Sequence, residues 1–283
     1  MAQILVIHTG GTIGMAMGPD GLAPSPGLVE RALADLGADA TVLVFDPLLD
    51  SADIGPAAWN RMIAAVADWR GAGVLITHGT DTMAFTGAAL SAALCGVALP
   101  VVLCGSMQPL GVGGDAEANL ALALQALETA APGVWLAFAG KLMPGAGLVK
   151  HDSHAADAFR VVPQVADVGP FGPRYFSDMR LAVLTLSPGM PAAMLAASLA
   201  ELDGAVLRVF GAGTMMGDPA ILAALQGAIA RGCRLRAVSQ CEAGGLEAGA
   251  YAAGAAIWQA GVENGGVETP EVALVRLWLS LPD

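Results

Sequence analysis

Apolar positions in this chain cluster into short, wholly aliphatic runs that stop abruptly at glycine, threonine or serine. Ile4-Leu5-Val6-Ile7 runs into His8-Thr9-Gly10-Gly11-Thr12, Val74-Leu75-Ile76 into Thr77-His78-Gly79-Thr80-Asp81-Thr82, and Val101-Val102-Leu103 into Cys104-Gly105-Ser106. A strand buried on both faces, as in a parallel sheet, reads as such an unbroken run. Between the runs the spacing changes to a helical period. Gly55-Pro56 opens a segment with Trp59, Met62, Ile63, Val66 and Trp69 on one face. Asp115 begins another that carries Asn119, Leu120, Leu124 and Leu127 and stops at Pro132-Gly133, while Asp218-Pro219 and Thr269-Pro270-Glu271 open two more.

This alternation predicts two α/β domains with mostly parallel sheets: a larger, Rossmann-like N-terminal domain over residues 1–160 and a smaller C-terminal α/β domain over residues 179–283. Strands are expected in the second domain at 181–186, 205–210 and 235–239. Residues 161–178 hold Pro163, Pro170, Gly172 and Pro173 and follow neither period, so they read as a linker. Residues 15–26 read as loop.

Composition narrows the function classes. A formal net charge of −12 leaves no basic stripe to displace counterions from nucleic acid and no polybasic patch for an anionic membrane. The uncharged stretch 86–107 is long enough to cross a bilayer, but Gly96 and Pro100 interrupt it, and a helix, a turn and a buried strand account for it better. Four cysteines, Cys95, Cys104, Cys233 and Cys241, show no paired spacing and read as buried, reduced thiols of a cytoplasmic protein. The first strand begins almost at once, with no signal peptide before it.

In an open α/β sheet, ligands bind beyond the carboxyl ends of the strands, so the three polar junctions should converge on one crevice. Gly10-Gly11-Thr12-Ile13-Gly14 lacks the dinucleotide-binding spacing; its glycines allow close backbone approach, and Thr12 would present a hydroxyl beside amides able to bind an oxyanion. At the second junction Thr80, Asp81 and Thr82 follow one another, and Asp81 or Thr82 could equally cap the helix that follows. Lysine is scarce: Lys141 and Lys150 are the two in the chain. Lys150 could be a solvated surface residue or, desolvated beside Thr and Asp, complete a nucleophile–base–acid set. No Gly-x-Ser-x-Gly elbow is present. His151-Asp152-Ser153-His154 is too short for the helical His-x-x-x-His metal spacing, so capping and solvation explain it and no metal is expected.

Thr9-Gly10-Gly11-Thr12-Ile13-Gly14 and His78-Gly79-Thr80-Asp81-Thr82-Met83 closely resemble the two signature motifs of the bacterial-type L-asparaginases, the asparaginase/glutaminase family. The resemblance continues through Leu49-Asp50-Ser51-Ala52-Asp53, Gly105-Ser106-Met107-Gln108-Pro109, Asp115, Asn119 and Lys150, and more weakly through Ser239-Gln240-Cys241 and Gly249-Ala250-Tyr251. The Leu-Leu-Asp-Ser pattern is more similar to the cytoplasmic type than to the periplasmic one. The resemblance implies a cofactor-independent amidohydrolase acting on a small amino acid, splitting L-asparagine into aspartate and ammonia. It implies Thr12 as nucleophile, Thr80, Asp81 and Lys150 as the second catalytic cluster, and Gly11, Ser51, Thr80, Asp81 and Ser106 as substrate-binding residues. It also implies a homodimer or homotetramer, since the family builds each site from two subunits.

The chain departs from the family pattern at two places. Leu22 stands where the family has a loop tyrosine that activates the nucleophile, and a leucine relays no proton. The chain's tyrosines, Tyr175 and Tyr251, lie elsewhere. Thr214 stands where the family often supplies an asparagine to the neighbouring site. Three readings follow: an active asparaginase, a weak or differently specific amidase, and an amino-acid-binding protein with impaired turnover.

Overall fold

The computed structural model describes residues 3–19, 21–249 and 254–281. Along the first 161 residues it runs β1 (Ile4–Gly10), β2 (Met15–Gly18), β3 (Gly21–Pro24), α1 (Leu28–Asp35), β4 (Ala40–Leu49), α2 (Pro56–Asp68), β5 (Val74–Thr77), α3 (Met83–Ala93), β6 (Pro100–Cys104), α4 (Ala116–Thr129), β7 (Gly133–Phe138), β8 (Lys141–Pro144), β9 (Leu148–Lys150) and β10 (Phe159–Val161). The aliphatic runs become the centre of a six-stranded sheet ordered β4-β1-β5-β6-β7-β8, parallel except for the antiparallel edge strand β8. β1, β5 and β6 are buried along their whole length, which is why they carry no polar alternation.

One face of the sheet packs Val6, Leu75, Val102 and Ala137 against Val29 and Leu33 of α1 and Leu120 and Leu124 of α4. The opposite face, with Ile7, Ile76, Leu103 and Leu136, is equally buried, and α3 packs beside β7 and β9. Each such side chain contributes roughly 1.5–3 kcal/mol by leaving water. α3 is an Ala-rich, uncharged helix buried nearly all round, and with the turn after it and β6 it accounts for the apolar stretch 86–107. Among the described residues no helix is long and apolar enough to cross a membrane.

The second compact unit contains β11 (Leu181–Thr185), α5 (Ala192–Ala200), β12 (Gly204–Val209), α6 (Pro219–Ala230), β13 (Arg234–Ser239), α7 (Ala255–Gln259), β14 (Glu263–Asn264) and α8 (Pro270–Leu279). Its sheet is wholly parallel, in the order β11-β12-β13-β14. The helix openings follow their caps: Asp218 accepts from Ala220 N and Thr269 from Val272 N, each ahead of a proline in the first turn. Of the stretch joining the two sheets, residues 162–164 group with the second unit and 165–176 with the first.

Three expectations need correcting. Residues 15–26 are not loop throughout: β2 and β3 form an antiparallel hairpin, pairing Met17 with Leu22. It is solvent-exposed on much of its surface, so it shows neither the alternation nor the β-branched content that marks a half-buried strand. The cysteines are free, but not all are buried: Cys104 and Cys233 are, Cys95 is half-buried and Cys241 is exposed. The second junction carries no helix cap either: Thr82, the residue before α3, makes no side-chain cap bond.

Candidate functional site

Register carries the polar junctions to a common edge. His8 pairs with Thr77, Thr77 with Cys104, and Gly10 with Leu49, so β4, β1, β5 and β6 all release their chains at the same carboxyl-terminal rim. The turns that leave them are pressed together backbone to backbone. Gly11 has φ 84°, and a Cβ built on it would lie 2.3 Å from Gly79 N; one on Gly79 would lie 2.7 Å from Ser51 Oγ. Both turns therefore need glycine for space, and Gly11 for its conformation as well.

A cavity of about 200 Å³ opens at this rim, lined by Gly11, Thr12, Met15, Asp50, Ser51, Gly79, Thr80, Asp81, Ser106, Met107, Lys150 and Ser153. Every residue expected at the site from the sequence, namely Gly11, Thr12, Ser51, Thr80, Asp81, Ser106 and Lys150, lines it. The volume lies below the roughly 300–1,000 Å³ of drug-sized pockets, which suits a guest no larger than a single amino acid. Two carboxylates and one ammonium supply its charge.

The Lys150 ammonium, at the end of β9, donates to Thr80 Oγ1 at 2.9 Å and to Asp81 Oδ1 at 2.5 Å. Lys150 is thus no solvated surface residue: its side chain is 15% exposed, against 70% for Asp81. Asp81 makes its contact forward into the cavity. Thr82 occupies the position before α3 without a side-chain cap; its hydroxyl instead donates to Ser51 O at 2.5 Å, locking the β5 turn to the β4 turn.

Buried histidines hold these turns. His78 Nδ1 lies 2.6 Å from Gly79 O, and its Nε2 lies 2.8 Å from Thr86 Oγ1, which accepts from Trp59 Nε1 at 3.0 Å. A carbonyl only accepts, so Nδ1 carries the proton and Nε2 receives the Thr86 hydroxyl. The chain Trp59–Thr86–His78–Gly79 fixes the backbone just before Thr80. Burial pushes the His78 pKa down to about 4, against a smaller upward pull from the Gly79 hydrogen bond. Burial lowers that of His8 as well, and its Nδ1 sits 2.7 Å from Thr77 Oγ1.

A stability prediction follows from His78. Between pH 6.5 and about 4 the unfolded chain takes up a proton that the folded chain refuses. Acid therefore favours unfolding across that interval, by up to about 3 kcal/mol. The loss is absent above pH 6.5 and complete below about 4. Urea unfolding compared at about pH 7 and about pH 4.5 should show a smaller difference for His78→Gln than for the wild type; equal differences would show that this imidazole is not the group responsible.

The β6 turn is held from α4. Asp115 precedes the helix without capping it; its carboxylate accepts from Met107 N at 2.9 Å and Gln108 N at 2.9 Å. Asn119 donates to Gly105 O at 3.0 Å and accepts from Ala139 N at 2.9 Å. Ser106 is buried here, its hydroxyl donating to Gln108 O. Met15, Asp50, Gly79, Met107 and Ser153 were not singled out from the sequence as site residues. Asp50 and Gly79 lie inside the motifs, next to residues to which the resemblance gives roles, and Ser153 lies in the His-Asp-Ser-His stretch.

Other candidates fall elsewhere. Leu22 is 44% exposed on β3 and does not line the cavity. Thr214 closes a turn with Phe210 in the second unit, and Tyr175 is half-exposed. In the second unit too, Ser239 donates to Gly211 O and Gln240 to Leu186 O and Arg208 O, tying strand ends together. Ala250 and Tyr251 lie outside the described residues. His154 and Ala155 donate their amides to Asp152 Oδ1, and these contacts keep the Asp152 carboxyl below its ordinary range.

Comparison with known proteins agrees with this architecture. Residues 3–174 match the family model "Asparaginase, N-terminal" and residues 180–282 match "Glutaminase/Asparaginase C-terminal domain". L-asparaginase 1 of Escherichia coli K12 is 32% identical over 277 residues, covering 86% of this chain and 80% of the relative. The solved structure of the thermostable L-asparaginase from Thermococcus kodakarensis superposes with a TM-score of 0.85 at 30% identity, covering 98% of this chain and 92% of that one. L-asparaginase I from Vibrio cholerae gives a TM-score of 0.82 at 32% identity over the same shares. Two family models that together span nearly the whole chain, in the order and fold seen here, show that the chain belongs to the asparaginase family.

Proposed function

We propose that the protein hydrolyses the side-chain amide of L-asparagine to L-aspartate and ammonia, with Thr12 as nucleophile. The observation that carries this reading is the Lys150 ammonium held between Thr80 and Asp81 in the cavity that Thr12 also lines. Thr12 Oγ attacks the amide carbon and forms an ester; ammonia leaves; water then attacks the ester. Backbone amides of the Gly11 and Gly79 turns, both in the cavity wall, would serve as donors to the charge that develops on the amide oxygen, and fixed donors of this kind are worth several kcal/mol in a transition state. The Lys150–Thr80–Asp81 cluster polarises the reacting centre and orders the attacking water.

The cavity's charge suits a zwitterion. Asp81 takes the α-ammonium, and Ser51 with neighbouring amides takes the α-carboxylate. These are chain groups alone, so the proposal needs no metal or cofactor. The working form is proposed to be a homodimer or homotetramer in the cytoplasm; a monomer by sedimentation at micromolar concentration would count against that assembly.

Ammonia release measured with L-asparagine, D-asparagine and L-glutamine tests the reading. Turnover of L-asparagine is the expected result. Tight amino-acid binding with no ammonia from any amide would instead make the protein a binder that has lost catalysis.

A further inference from the structure

A threonine attacking an amide must lose its proton as it does so, and the position from which the family supplies a tyrosine for this is Leu22 here. Leu22 pairs across the hairpin with Met17 and is absent from the cavity wall. The Lys150 ammonium is already committed to Thr80 and Asp81. Ser153, in contrast, lines the cavity with Thr12, and its Oγ lies 2.7 Å from His154 Nδ1. The loop that presents this pair leaves directly from β9, whose last residue is Lys150. It is shaped by Asp152 Oδ1, which accepts from His154 N at 2.7 Å and Ala155 N at 2.8 Å. An alcohol bonded to an imidazole is the arrangement that lets a hydroxyl pass a proton on at neutral pH.

We propose that Ser153 and His154 form the proton relay for Thr12 in this chain, an inference that rests on the threonine-nucleophile reading. As Thr12 Oγ bonds to the amide carbon, its proton passes to Ser153 Oγ while the Ser153 proton passes to His154 Nδ1. When the tetrahedral adduct collapses, the C–N bond breaks and a proton returns through Ser153 to the nitrogen, which leaves as ammonia. Water attacks the ester by the same relay, and Thr12 recovers its proton from the water that is split. The imidazole has Asp152 and His151 beside it on its own loop, and the cavity that Ser153 faces carries Asp50, Asp81 and Lys150.

The test is kcat against pH for the wild type, Ser153→Ala and His154→Gln, with L-asparagine. Both side chains are exposed, so thermal unfolding should be unaffected. Each substitution should lower kcat roughly a hundredfold with little change in KM, and flatten the acid limb of the wild-type pH profile. Wild-type kcat and an unchanged acid limb in both variants would overturn the relay while leaving Thr12 as nucleophile. A wild-type protein that releases no ammonia would remove that reading, and the relay with it.

Discussion

Thr12→Ala is expected to abolish ammonia release from L-asparagine, lowering kcat by about ten-thousandfold or more. The substitution deletes the atom that would bond to the amide carbon, and enzymes stripped of a nucleophile lose rate on that scale. Affinity for L-aspartate should change only a few-fold, because Ser51 and Asp81 remain in the cavity wall. The fold should tolerate the change. Thr12 opens a short 3₁₀ turn whose path is set by Gly11, and loss of one half-buried hydroxyl should cost under roughly 1 kcal/mol. Thr12→Ser, which keeps the hydroxyl, should retain measurable turnover. Steady-state kinetics with an equilibrium binding measurement separates these outcomes; a Thr12→Ala enzyme with near-wild-type kcat would show that another hydroxyl attacks.

Lys150→Met should lower kcat by about a hundred- to ten-thousandfold while leaving stability nearly unchanged. The contrast distinguishes a working ammonium from a structural ion pair. Asp81 is 70% exposed, so its attraction to Lys150 is screened by water, and pairs of this kind contribute about 0–1 kcal/mol to folding. A lost rate of even a hundredfold corresponds to roughly 2.7 kcal/mol of transition-state stabilisation. If urea unfolding falls by several kcal/mol and kcat by less than tenfold, the ion pair holds the loop rather than driving the reaction.

The elements most legible in the sequence were the ones most completely buried. β1, β5 and β6 announce themselves because a strand covered on both faces has no polar position to interrupt it. β4 was not anticipated, although Asp50 and Ser51 follow it. It is the sheet's edge, ten residues long with intermittent exposure, and Asp46-Pro47 breaks its apolar pattern. The β2–β3 hairpin and the antiparallel strands β8, β9 and β10 are short and partly solvated, so their periodicity is weak. Cavity-lining residues are legible where a motif names them and illegible where an ordinary neighbour shares the wall. Ser153 reads as one polar residue among four in His-Asp-Ser-His, and only its place in the wall of the cavity that Thr12 and Lys150 also line gives it a chemical context. Asp115 reads as a helix start and Thr82 as a possible cap, yet each gives its side chain to a neighbouring turn. Local sequence pointed to the right turn in both cases, but the bonding partner depends on tertiary approach that no local window contains.

The account rests on Thr12 carrying the acyl group. Acid quenching of the wild-type enzyme during turnover of L-asparagine, followed by peptide mass mapping, examines this directly. The expected result is an aspartyl ester on the peptide containing Thr12, absent when L-asparagine is omitted and absent in Thr12→Ala. The same ester found on the peptide containing Thr80 instead, with Thr12 unmodified, would contradict it.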